Sequence, residues 1–218
     1  MMNVLRELQE QRWDDHRYYH QSRVNQSLHL ISAISFLTAY VQLIAMNPIF
    51  AALMGWVVAM MTRQAGHFFF EPKDYDRVNR VTHEYKEEVK VGYNLQRKVV
   101  LLSIWAITPV LLWIHPGMFG LFHPHVNWHQ YLYNLSVIWI GLGAAALLFR
   151  TVQLFFIRDV ATGLVWLLKI LTDPFHDVKL YYRSPFYLLR GQLIDPMHDV
   201  LMRNEGDEYL GEDARVRV

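Results

Sequence analysis

The sequence predicts an all-α, polytopic membrane bundle: four spans arranged as two helical hairpins, with further helices at the cytoplasmic surface. Two observations predict it. No Asp, Glu, Lys or Arg occurs between Arg23 and Arg63, or between Lys98 and Arg150, and each gap holds two helices of the roughly 20 residues a bilayer requires. All 21 lysines and arginines then fall on one side of the spans, and basic loops mark the cytoplasmic side. Both termini are therefore expected in the cytoplasm, beneath a bacterial inner membrane or an endoplasmic reticulum membrane. The length, 218 residues, suits a single integral membrane domain over 1–218.

Composition narrows the function classes. Hydrophobic residues make up 53% of the chain and aromatics 14%, heavy for a soluble domain, with the polar residues gathered in blocks 1–27, 63–98 and 150–218. A net charge of +1 gives no sign of a nucleic-acid partner. The absence of cysteine excludes disulfides, thiolate metal sites and a cysteine nucleophile. Residues 1–15 are polar and mixed in charge, unlike a cleavable signal. No phosphate loop, Gly-x-Ser-x-Gly elbow or dinucleotide fingerprint is present.

The elements follow in order. Residues 1–27 read as a cytoplasmic amphipathic helix. Residues 28–66 form the first hairpin, turning at Asn47-Pro48, with Gly55 and Gly66 permitting close helix approach. Residues 67–97 read as a charged cytoplasmic segment, helical after Pro72. Residues 98–149 form the second hairpin, kinked at Pro109, around a far-side loop (115–129) rich in His, Pro and Gly. Residues 150–200 carry Arg158, Asp159 and Lys169, so an interfacial helix there is cheaper than a fifth crossing. Asp173-Pro174-Phe175-His176-Asp177-Val178 recurs as Asp195-Pro196-Met197-His198-Asp199-Val200, and each Asp-Pro reads as a helix start. Residues 201–218 read as a disordered tail.

This topology sorts the histidines. His16, His20, His29, His67, His83, His176 and His198 can meet at the cytoplasmic face; His115, His123, His125 and His129 cannot. His16 and His20 are four residues apart and share a helix face. His20 and His29 are nine apart, roughly opposite on a continuous helix, so they can hold one ion only if the chain bends between Gln21 and Val24. The hairpin returns His67 beside His29, and Glu71, four residues on, can face the same ion. An ionisable group at the edge of an apolar span is a functional hypothesis by default, which singles out His29 and His67. His16 and His83 are further candidate ligands, each also readable as an interfacial or surface residue. Imidazoles with a carboxylate suit non-haem Fe(II), and imidazole also suits zinc.

The pattern His20-x4-Asn25-x3-His29 before one apolar span, with Gln64-x-Gly66-His67-x3-Glu71 after another, resembles the 2-hydroxy fatty acid dioxygenase family. The resemblance implies a small integral membrane enzyme that uses Fe(II) and O2 to shorten 2-hydroxy fatty acids by one carbon. It implies iron ligands at His20, His29 and His67, with Asn25 and Glu71 in supporting catalytic roles. Pro72-Lys73-Asp74 departs from the family's Pro-Ala-Leu, and the second hairpin and the Asp-Pro-x-His-Asp-Val repeat have no family counterpart. The reading is thus a membrane oxygenase with one or two Fe(II) ions, a lipid or fatty acid substrate, O2 and, in some forms of the chemistry, an electron donor. Alternatives are a mixed di-iron hydroxylase- or desaturase-like enzyme, drawing on the seven cytoplasmic-side histidines with Glu71 or Glu84, and a non-enzymatic membrane adaptor.

Overall fold

The computed structural model describes residues 4–93 and 95–203. Among the described residues it is helical throughout, with no strand and two isolated bridges, Ser22 with Ile194 and Asp76 with Val81. Its helices are α1 (Val4–Tyr19), α2 (Arg23–Ile44), α3 (Pro48–Phe70), α4 (His83–Val89), α5 (Leu95–Ile114), α6 (Trp128–Ile157), α7 (Val160–Tyr181) and α8 (Ser184–Leu189). Four of them, α2, α3, α5 and α6, are long and apolar enough to cross a membrane.

Local chemistry sets the boundaries. Asn47 accepts a hydrogen bond from the Phe50 N–H at 3.2 Å, and Pro48 starts α3, so the expected turn is a capped helix start. Asn127 caps α6 in the same way through the Gln130 N–H at 2.9 Å. Pro109 cannot donate to the Trp105 carbonyl one turn back, and the Trp139 indole N–H takes that carbonyl at 3.3 Å. The loss inside α5 is thereby made good by α6. The hairpins meet where the Trp56 and Trp105 rings stack at 6.0 Å and where Gly143 leaves room for Trp56, whose ring an added Cβ would meet at 3.2 Å.

Four elements differ from the sequence reading. The helix expected after Pro72 is a loop until Thr82. Asp76 accepts the Val78 and Asn79 N–H groups at 3.0 Å each and pairs with Lys86 at 2.7 Å, which favours a turn over a helix. The fourth long helix does not stop at Phe149 but runs on to Ile157, because Arg150 is buried with its guanidinium on the Val91 and Gly92 carbonyls. Asp173-Pro174 is not a helix start but lies inside α7, held by Asp173 pairing with Arg12 at 3.3 Å and Lys169 at 3.0 Å. Residues 201–203, assigned to the tail, are helical, and 204–218 lie outside the described residues. In the second repeat Asp195 accepts the Met197 N–H at 3.1 Å just before residues 198–203 turn helical.

Candidate metal centre

The site begins with a break in helix. The chain leaves α1 at Tyr19 and re-enters α2 at Arg23, within a residue or two of the bend that His20 and His29 require. Such a break strands carbonyls that need partners, and the first turn of α2 supplies them. The Asn25 amide donates to the Tyr19 carbonyl at 2.8 Å, and the Gln26 amide to the His20 carbonyl at 2.7 Å. Asp195 N–H donates to the Gln21 carbonyl at 2.8 Å. Ser22 caps α2 by accepting from the Asn25 N–H. The sequence Ser-x-x-Asn-Gln therefore holds the bend, and the bend turns His20 toward His29.

Helix α3 arrives from the other side. It contains two π-helical stretches, Leu53–Met60 and Gly66–Phe70, a departure from α geometry that recurs at functional sites. Gly66 lies so close to Asn25 that an added Cβ would stand 2.1 Å from its side-chain oxygen. Only glycine allows this approach, and it brings His67, the next residue, to the other two imidazoles.

The ring centres of His20 and His29 are 4.2 Å apart, those of His29 and His67 4.8 Å, and those of His20 and His67 5.4 Å. One nitrogen from each falls within 4.8 Å of the others. His20 and His29 are 2% and 1% exposed, and His67 is part-buried. Two of the histidines are also held from outside, and the third faces a carboxylate. His20 Nδ1 lies 2.8 Å from the Asp15 carbonyl, and His67 Nδ1 2.8 Å from Glu71 Oε2. His29 Nδ1 lies 3.7 Å from Asp177, which is itself clamped by Arg63 at 2.5 Å. A carbonyl and a carboxylate can only accept, so His20 and His67 donate from Nδ1 and present Nε2 lone pairs inward. A ring fixed by a carbonyl or carboxylate on its far nitrogen is the usual setting of a metal-bound histidine.

Burial pushes the His20 imidazole well below its ordinary pKa, with His29 adding to the effect, which keeps it neutral as a ligand must be. Burial pushes the Glu71 carboxyl up to about 7 against the pull of Lys90 and Lys98. At Asp15 burial acts in the opposite sense to the outcome: Lys169, 2.9 Å away, and His20 hold the carboxyl well below the usual range.

The other predicted residues are placed as follows. Asn25, fully buried, clamps the bend and abuts Gly66. Glu71 sits behind His67, on its outer nitrogen. His16 stands apart from the three-imidazole group, with Nδ1 3.2 Å from the Tyr181 hydroxyl and Nε2 3.4 Å from Asp199. His83 starts α4 and does not join the group either. His176 lines a small pocket with His16 and His20. Sequence reasoning missed Asp177, Arg63 as its clamp, and Tyr181, whose ring lies 5.4 Å from that of His20. Asp177 lay inside the noted repeat; Tyr181 carried no signal in the sequence.

A cavity of about 600 Å³ opens beside the site. His29, His67 and Gln64 line one end, and Phe36, Tyr40, Trp56 and Trp105 line its course between the hairpins.

Fold and site together define an all-helical protein with four helices long and apolar enough to cross a membrane and a buried three-histidine cluster that could bind a metal. Residues 7–75 match a family model described as 2-hydroxy-palmitic acid dioxygenase Mpo1-like. That stretch is about a third of the chain and contains most of α1, the bend, α2, α3, Asn25, Glu71 and all three clustered histidines. The resemblance seen in the two motifs is thereby shown for the first hairpin. No curated protein and no solved structure matches the chain.

Proposed function

We propose that this protein is an integral membrane, non-haem iron oxygenase that converts a 2-hydroxy fatty acid to the acid one carbon shorter. The observation that carries the reading is the buried cluster of His20, His29 and His67 at the end of an apolar cavity, inside the segment that matches the dioxygenase family. The donor set fits Fe(II): three neutral imidazoles, with coordination positions left for O2 and substrate. Two inward Nε2 lone pairs also favour a cation there. Bound iron would supply O2 binding and activation.

This chain's own residues do the rest. Asp15 (through its carbonyl) and Glu71 orient the rings of His20 and His67, and the Asp177 carboxylate faces His29. Asn25 and Gly66 set the distance between the bend and α3. The apolar walls exclude water and accept the acyl tail. The overall change, a 2-hydroxy acid plus O2 to the shortened acid, CO2 and water, balances without an external electron donor. The basic loops support a cytoplasmic location for the site and both termini.

One ion is favoured over two. In the pocket beside His20 that includes His16 and His176, the carboxylates of Asp15, Asp173 and Asp177 are already taken up by Lys169, Arg12 and Arg63, which leaves a second ion no free carboxylate ligand there.

The test is oxygen consumption by the purified protein with 2-hydroxyhexadecanoate and no reductant. The expected result is one shortened acid and one CO2 per O2. A strict need for a reductant would favour the di-iron alternative, and no turnover would leave the adaptor as the better account.

A further inference from the structure

We infer that Lys98 receives the carboxylate of a free fatty acid whose tail lies in the cavity between the hairpins. The inference rests on the acyl-substrate reading of this site but not on the metal. Lys98 lines the cavity together with His29 and His67, and its charge acts on both His67 and Glu71.

Three other cations line the same cavity, and each is already matched. Arg63 pairs with Asp177 at 2.5 Å. Lys90 pairs with Glu87 at 2.8 Å and lies over the Tyr19 ring. Lys169 sits between Asp15 and Asp173 at 2.9 and 3.0 Å. The basic residues nearest the site in sequence are no better placed: Arg23 is held by Asp195 at 2.9 Å, and Lys73 is exposed. Lys98 is half-buried, and among the described residues it has no ion pair or hydrogen bond. A part-buried ammonium with no anion in contact is costly, and an incoming carboxylate lowers that cost.

The shape of the slot agrees. His29 and Leu43 both line it, and they stand about 21 Å apart along α2 at 1.5 Å per residue. A long acyl chain can therefore run down α2 while its head stays between Lys98 and the histidines. An ester or amide offers no anion at that position, so the substrate class is the free acid.

The test measures binding of palmitate and methyl palmitate to the full-length protein in lipid nanodiscs, against empty nanodiscs. Wild type is expected to bind palmitate about 10- to 100-fold more tightly than the ester, as loss of a charge-assisted contact implies. Lys98→Met should weaken palmitate to the level of the ester and leave ester binding unchanged, which also reports an intact slot. Lys98→Arg should keep the preference for the acid. A wild type with no preference, binding of neither ligand, or a Lys98→Met protein that still prefers the acid overturns the inference. Iron content and turnover are separate readouts, so a failed oxygenase reading would leave this result standing.

Discussion

Both hairpins are made of two helices long and apolar enough to cross a membrane, yet they bury different things. The first buries Asn25, Gln26, His29 and Ser32 in α2 and is interrupted by π-helical turns in α3. The second has no π-helical stretch among the described residues, and its hydrophobic core cluster is Leu112, Tyr131 and Leu135. Its loop stacks Trp113 on Trp128 at 5.5 Å and sets His125 5.0 Å from Tyr131. Both regions are rich in histidine. Only in the first, among the described residues, do three imidazoles face one another, two of them with an oxygen acceptor behind the ring. What makes a histidine a candidate ligand here is a buried position with an outer partner, not its proximity in sequence to other histidines.

The sharpest way to break this contrast is to remove one histidine from each region. His29→Ala should abolish oxygen consumption, while His125→Ala, which removes a part-buried ring outside the cluster, should leave it within about twofold. Equal losses in both variants would mean that the histidines act through stability and not through a site. The glycines give the next largest difference. Gly66→Ala forces a Cβ to within 2.1 Å of the Asn25 oxygen, so it should separate α3 from the bend and lose most of the bound metal. Gly141→Ala, with nothing within 4 Å of the new Cβ, should be neutral or slightly stabilising, by up to about 1 kcal/mol. Thermal unfolding and metal content of the two proteins check this pair. A smaller effect is expected from Glu71→Gln. The ring of His67 keeps an acceptor but loses a charged one, and metal affinity should fall roughly 10- to 100-fold. Unchanged affinity in a metal titration would remove Glu71 from the supporting shell.

The contrast also explains what the sequence made legible. The charge-free stretches located all four long helices, because a buried unpaired charge is expensive wherever it falls. Asn47-Pro48 located the first turn through capping chemistry that is purely local. The pairing of His29 with His67 followed from the hairpin alone, and His20 followed on the condition of a bend. The bend itself rests on Asn25 and Gln26 reaching back to Tyr19 and His20, contacts at six residues' separation that helix periodicity does not reveal. The loop at 71–82 was misread because Asp76 gathers its own backbone and Lys86, overriding the propensity of a charged stretch. Arg150 was misread as the end of a span because its partners, the carbonyls of Val91 and Gly92, lie far away in sequence. The role inferred for Lys98 was invisible for the complementary reason: it rests on lacking a partner in contact where three neighbouring cations have one.

The central claim is that the first hairpin, with the bend before it, holds one iron ion on His20, His29 and His67. It is tested most directly by elemental mass spectrometry of anaerobically purified wild type, His67→Ala and His125→Ala after iron-replete expression. The account predicts one iron per chain in wild type and in His125→Ala, and none in His67→Ala. A wild type without stoichiometric metal, or a His67→Ala protein that keeps its iron, would contradict it.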